Sequence, residues 1–147
     1  MEYQPGKVEA IAYGRPSSSS KGEGSVEVAR HKIETSGKAV KLVAEPDNNQ
    51  WHADGMDLQH VRVYAVDSKG RRVYNAQQEL SFSVEGDARI VAVTNGDINS
   101  DELNCTDHRR LWNGSAMVIL RAGRKGGDVT LTTCADGFKP LKTKLNL

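Results

Sequence analysis

The sequence predicts an all-β protein, a β-sandwich of two antiparallel sheets with almost no helix. Two patterns and one absence predict it. Apolar residues recur at alternate positions in short runs from one end of the chain to the other, as in strands with one face on a core and one in water. Between the runs stand Ser68-Lys69-Gly70, Glu85-Gly86-Asp87, Asn95-Gly96-Asp97, Gly126-Gly127-Asp128 and Asp136-Gly137-Phe138. Gly, Asn and Asp tolerate the positive φ that tight β-connections require. No segment carries a convincing apolar stripe of helical period, so closely spaced strands argue for a sandwich rather than βαβ units.

Taken in order, Val8, Ala10 and Ala12 alternate with Glu9, Ile11 and Tyr13. Residues 15–25 hold four consecutive serines and no apolar side chain between Pro16 and Ser25. Such a stretch cannot bury enough surface to offset the entropy of ordering it, so a flexible loop is expected. Val26 and Val28 open a second run; Val40, Leu42 and Ala44 form a third, broken at Pro46-Asp47-Asn48-Asn49. In "ADGMDLQHVRVYAVDSKGRRV", Val61, Val63 and Ala65 face one way and Arg62, Tyr64 and Val66 the other. Leu80, Phe82 and Val84 repeat the device with Ser81 and Ser83 outward, and Ile90, Val91 and Val93 make a more continuous apolar run. Ala116, Val118 and Leu120, then Val129 and Leu131, then Leu141, Leu145 and Leu147 complete the series. The residues before the 15–25 loop are too few for a domain, and the two or three strands between Val8 and Ile33 need a partner sheet. Residues 1–38 read as the closing strands of a preceding β domain, with the sandwich over 39–147 and the chain as a piece of something longer.

Composition narrows the function classes. A chain of 147 residues, 37% hydrophobic and 27% charged, suits one ordinary folded domain. Its 20 basic and 19 acidic residues are spread along the sequence. No clustered basic face marks a nucleic-acid partner. No apolar run approaches the roughly 20 residues of a membrane helix, so no membrane insertion is expected. "MEYQPGKVEA" shows no signal-peptide pattern. Cys105 lies in a polar stretch and Cys134 at the end of a strand. That does not fit the inter-sheet disulfide of immunoglobulin domains, and two unpaired thiols are expected.

The search for chemistry returns little. His31, His52, His60 and His108 stand in no zinc-ligand spacing; His60 reads as polar surface. In "DINSDELNCTDHRR", Asp97, Asn99 and Asp101 match the first ligand positions of a calcium loop. The required glycine is Glu102 and the bidentate glutamate is His108, so a solvated acidic loop is the reading preferred over a looser oxygen-ligand site. No serine stands in a nucleophile elbow. Asp97, Asp101, Glu102 and Asp107 share one loop, a poor platform for paired-carboxylate catalysis. "GRKGGD" precedes a strand instead of the helix a phosphate cradle needs. Asn104-Cys105-Thr106 and Asn113-Gly114-Ser115 fit the glycosylation sequon, which matters only in a eukaryotic secretory route. No catalytic residue, metal ligand or cofactor is assigned. Of the two tryptophans, Trp112, beside Leu111, reads as core or interface packing, a plug at the end of a sandwich, and Trp51 reads the same way by a smaller margin. The competing reading makes Trp51 and Trp112, with Asn95 and Asp97 of the "TNGDINSDE" loop, candidate sugar contacts.

A family resemblance rests on an ordered series: "KAVKLVAEPD", "ADGMDLQHVRVYAVDSKGRRV", "LSFSVEG", "IVAVTNGDINSDE", "LWNGSAMVILRA" and "GGDVTLTTCADG". From about Ala39 to Leu147 this series resembles the C-terminal immunoglobulin-like domain of glycoside hydrolase family 2 enzymes, bacterial β-galactosidases of Bacteroides type in particular. The family's catalytic glutamates sit on an upstream TIM barrel of ~250 residues, for which this chain has no room, so none is carried onto a position here. The resemblance implies a non-catalytic, immunoglobulin-like accessory sandwich, part of a secreted or periplasmic glycosidase. Its expected partners are the other domains of that enzyme and, as a further candidate, a second subunit. The alternatives are a carbohydrate-binding module, with weak sugar binding, and a bacterial surface adhesion module, since fold alone does not fix function.

Overall fold

In a computed structural model, the described residues are 4–14, 26–47 and 50–147, and they fall into two units, Met1–Thr35 and Ser36–Leu147. The loop expected at residues 15–25 lies outside the described residues. Among those described there is no helix. In the first unit β1 (Lys7–Gly14) pairs antiparallel with β2 (Val26–Glu34), Val8 opposite Ile33 and Ala12 opposite Ala29. Arg30 reaches Glu9 across this ribbon at 3.2 Å and Glu27 on its own strand at 2.8 Å. Alternation predicted one face on a core; instead Val8, Val26, Val28 and Ile33 are all exposed, because two strands alone have no second layer to cover them.

The second unit holds eight strands among its described residues: β3 (Lys41–Pro46), β4 (Leu58–Val66), β5 (Glu79–Glu85), β6 (Ala88–Thr94), β7 (His108–Arg110), β8 (Ser115–Ala122), β9 (Asp128–Cys134) and β10 (Leu141–Asn146). They form two four-stranded antiparallel sheets, β3-β4-β8-β6 and β10-β9-β5-β7. One core joins the sheets. Val61, Val63, Ala65, Ala116, Val118 and Leu120 enter from the first; Leu80, Phe82, Val129, Leu131 and Leu145 enter from the second. The alternation thus becomes an all-β sandwich in which strand period sets burial. The unbroken Ile90-Val91 pair has its own cause: the β6–β8 register shifts between Ile90 and Ala92, and a bulge lets neighbouring residues share a side.

Three placements differ from expectation. Val40 precedes β3 and is exposed, leaving Leu42 as the first core residue there. The polar segment ending in "HRR" contains β7, which pairs Leu80 with Arg109 and buries Arg109. The residue that plugs the core next to β7 is Leu111, not Trp112. Cys105 and Cys134 are both unpaired.

Candidate functional site

The hairpin between β7 and β8 fixes the aromatic side of the site. Trp112 and Ser115 exchange both backbone hydrogen bonds at 3.0 Å. Asn113 and Gly114 between them both have positive φ, 47° and 69°, the requirement of a type I′ turn and the reason Asn-Gly suits it. A Cβ on Gly114 would run into the Val73 carbonyl, so the turn is held against the β4–β5 connection. Neighbouring side chains on an extended segment point to opposite sides. Leu111, 1% exposed, therefore takes the core, and Trp112, 41% exposed, is turned outward. That overturns the core half of the expectation for Trp112, the plug, and leaves its interface half compatible with the exposure.

The loop between β6 and β7 forms the polar side. Arg109 lies beneath it, donating to the Glu102 carbonyl at 2.8 Å and to Asn95 Oδ1 at 3.2 Å. Asn95 Nδ2 donates to the Arg110 carbonyl at 2.9 Å, and Asn95 Oδ1 also accepts the Asp97 amide at 3.0 Å. Asp97 Oδ1 in turn accepts the Asn99 amide at 3.0 Å. Glu102 accepts from Ser100 Oγ at 3.2 Å. The result is a surface cleft of about 420 Å³ whose lining includes Asn95, Asp97, Asp101, Glu102, Arg110 and Trp112.

Three of the four candidate sugar contacts therefore meet: Trp112, Asn95 and Asp97. Trp51 does not join them. It is 5% exposed, in the core, and its indole N–H donates to the Asp57 carbonyl at 3.3 Å, so its ring offers no open face. Asn95 spends its amide on the loop itself and is chiefly a support. Asp101, Glu102 and Arg110 were not singled out as sugar contacts from sequence, though two of them lie in the "TNGDINSDE" loop; the buried Arg109 gave no pattern that could reveal it.

The remaining candidates are placed as follows. His60 faces Asp47 at 3.1 Å on a partly exposed surface. His108 lies 3.1 Å from Asp107, whose carboxyl its hydrogen bond holds below the ordinary range. Among the described residues no three His, Cys, Asp or Glu side chains are grouped to share a metal ion. The most perturbed carboxyl is Asp67, buried in the β4–β5 connection and held well below the usual range by the Gly37 amide, then by Arg71 and the amides that follow it. Its acceptor sites are spent on the backbone and Arg71, as expected of a structural group.

Comparison with known proteins follows the fold. Residues 42–144 match the family "Glycoside hydrolase family 2 C-terminal domain 5". The chain is 30% identical over 146 residues to the β-galactosidase BoGH2A of Bacteroides ovatus, covering 99% of this chain and 16% of that protein. It is 32% identical over 116 residues to a β-glucuronidase of Formosa agariphila, covering 76% of this chain and 11% of that protein. The crystal structure of a glycosyl hydrolase family 2 member from Bacteroides cellulosilyticus superposes with a TM-score of 0.86 at 29% identity, over 98% of this chain and 19% of that one. The chain thus spans a small fraction of the length of these relatives. With the match running from β3 into β10, through both sheets, the chain belongs to the glycoside hydrolase family 2 C-terminal domain 5 family.

Proposed function

We propose that this chain serves as a non-catalytic accessory domain of a larger, β-galactosidase-type glycoside hydrolase, acting by packing on the other domains of that enzyme. The observation that carries the reading is the family match over 42–144. It is supported by the small share, 16%, that the chain occupies of a relative that is a β-galactosidase. The site chemistry agrees: the carboxylates of the Trp112 cleft sit on a loop, without the rigid strand-end placement that glycosidic acid/base work needs. The first unit supports a packing role. Its ribbon exposes Val8, Val28 and Ile33, and covering each such side chain contributes roughly 1.5–3 kcal/mol. A neighbouring β domain, to which residues 1–38 would supply closing strands, is the cover that this reading supplies.

The test is direct. The purified chain, incubated with p-nitrophenyl β-galactoside and p-nitrophenyl β-glucuronide, should release no nitrophenol above buffer. Turnover that scales with protein concentration through successive purification steps would overturn the proposal.

A further inference from the structure

We infer that the Trp112 cleft is a binding site for a neutral pyranoside, in which the indole face takes the C–H face of the ring and the loop's polar groups take its hydroxyls. Four observations meet there. First, the molecule treats its two tryptophans differently. Trp51 is buried with its N–H satisfied; Trp112 is 41% exposed, and its N–H donates to no described residue. An exposed indole is an apolar body with a polar tip, the kind of group enriched where a ligand has both characters.

Second, Trp112 is held in place before any ligand arrives. The Asn113-Gly114 turn, the paired backbone bonds to Ser115 and the buried Leu111 beside it fix its backbone, which lowers the ordering cost of binding. Third, polar groups around it are unspent. Asp101 and Gln77 line the same cleft without a partner among the described residues, and Asp97 uses only Oδ1. Binding sites join an aromatic wall to a few convergent polar groups in this way. The buried Arg109 holds the loop that presents two of these groups.

Fourth, charge selects the ligand. Asp97, Asp101 and Glu102 line the cleft with one guanidinium, that of Arg110, and even with Arg109 beneath Glu102 at 3.6 Å the three carboxylates outnumber the two cations. Carboxylates accept from sugar hydroxyls but repel a uronate, so a neutral hexoside fits better than a glucuronide. A single shallow contact of this kind gives a dissociation constant on the order of 1 mM. The inference does not depend on the accessory role: binding is measured on this chain with no bond broken. Hydrolysis would sink that role and leave this site standing, while absence of binding would do the reverse.

The experiment titrates the full chain with methyl β-galactoside and with methyl β-glucuronide, followed by calorimetry and tryptophan fluorescence. Saturable binding of the galactoside is expected, several-fold tighter than of the glucuronide. Trp112→Ala should weaken it by about tenfold or more. Trp112→Phe should keep part of the affinity, and Asp101→Asn should lose several-fold. Trp51 fluorescence reports that each variant is folded. Three results overturn the inference: no saturation by about 100 mM sugar, equal affinity in Trp112→Ala, or tighter binding of the glucuronide. With no sugar bound, Trp112 would be a contact for another protein domain.

Discussion

The Arg109 guanidinium lies under Glu102 and ties down the loop that Glu102 closes: Nη1 reaches the Glu102 carbonyl at 2.8 Å, while Nε stands 3.6 Å from the carboxylate. The second distance is an ion-pair contact, too long for a hydrogen bond, and Nε has no hydrogen-bond partner among the described residues. A cation 3% exposed is tolerable only because loop acceptors replace water. Arg109→Leu removes two donors and leaves the Glu102 carbonyl and Asn95 amide oxygen without them. It should lower stability by about 1–3 kcal/mol in urea titration. The Val93 amide, bonded to the Asn104 carbonyl at 2.8 Å, should exchange faster with deuterium. Unchanged exchange at Val93 would mean that the loop is held by something other than Arg109.

Asp67 gives the molecule an acid-side weakness. Its carboxylate accepts the Gly37 amide at 2.8 Å, the Lys69 amide at 2.9 Å and the Arg71 amide at 3.0 Å, with the Arg71 side chain at 2.7 Å. The Gly37 contact leads in holding its pKa down, against the opposing effect of burial. An unfolded aspartate titrates near 3.9, so as pH falls the unfolded chain takes the proton first. The Asp67 contribution is fully present above about pH 4 and is lost progressively below it. Asp67→Asn should be less stable than the parent at neutral pH, with the gap narrowing below about pH 4. Urea midpoints measured across that range check it; a constant gap would contradict the assignment.

Val63 tests the core. It is fully buried, paired with Ala44 of β3 and Ala116 of β8. Val63→Asp places an unpaired charge there and should cost more than about 3 kcal/mol, enough to erase or sharply lower the thermal transition. Asp101→Asn, in the exposed loop, should stay within about 0.5 kcal/mol of the parent. A Val63→Asp melt matching the parent would mean that β4 does not face the core.

These contrasts show what could be read from the chain. Val61, Val63, Leu80, Phe82, Val118 and Leu120 were legible because strand period and burial period coincide. β7 was not, since three residues, His108-Arg109-Arg110, are too few to show alternation and the inward one is charged. The outward turn of Trp112 was hidden for a related reason: Leu111 and Trp112 are both apolar, and only the turn geometry at Asn113-Gly114 decides which points inward. The meeting of Trp112 with Asp97 depends on a fold that joins the β6–β7 loop to the β7–β8 hairpin. No local pattern encodes that juxtaposition.

Thr133 offers the reverse test, a substitution that should improve the fold. It sits on the inward face of β9, paired with Phe82 of β5 and Leu141 of β10, at 0% exposure. Its hydroxyl has no hydrogen-bond partner among the described residues, and a buried polar group left in that state costs about 1–3 kcal/mol. Valine has nearly the same shape and the same strand preference, and it carries no polar atom to desolvate. Thr133→Val should therefore raise stability by about 1 kcal/mol, seen as a higher urea midpoint with an unchanged slope. Thr133→Ala removes the hydroxyl and also a methyl group, leaving a void whose cost opposes the gain. The pair separates polarity from volume. Thr130 and Thr132 face outward on the same strand, half-buried, so valine there should change little. If Thr133→Val is destabilised as much as Thr133→Ala, the hydroxyl is satisfied in solution, and the desolvation cost assigned to it does not exist.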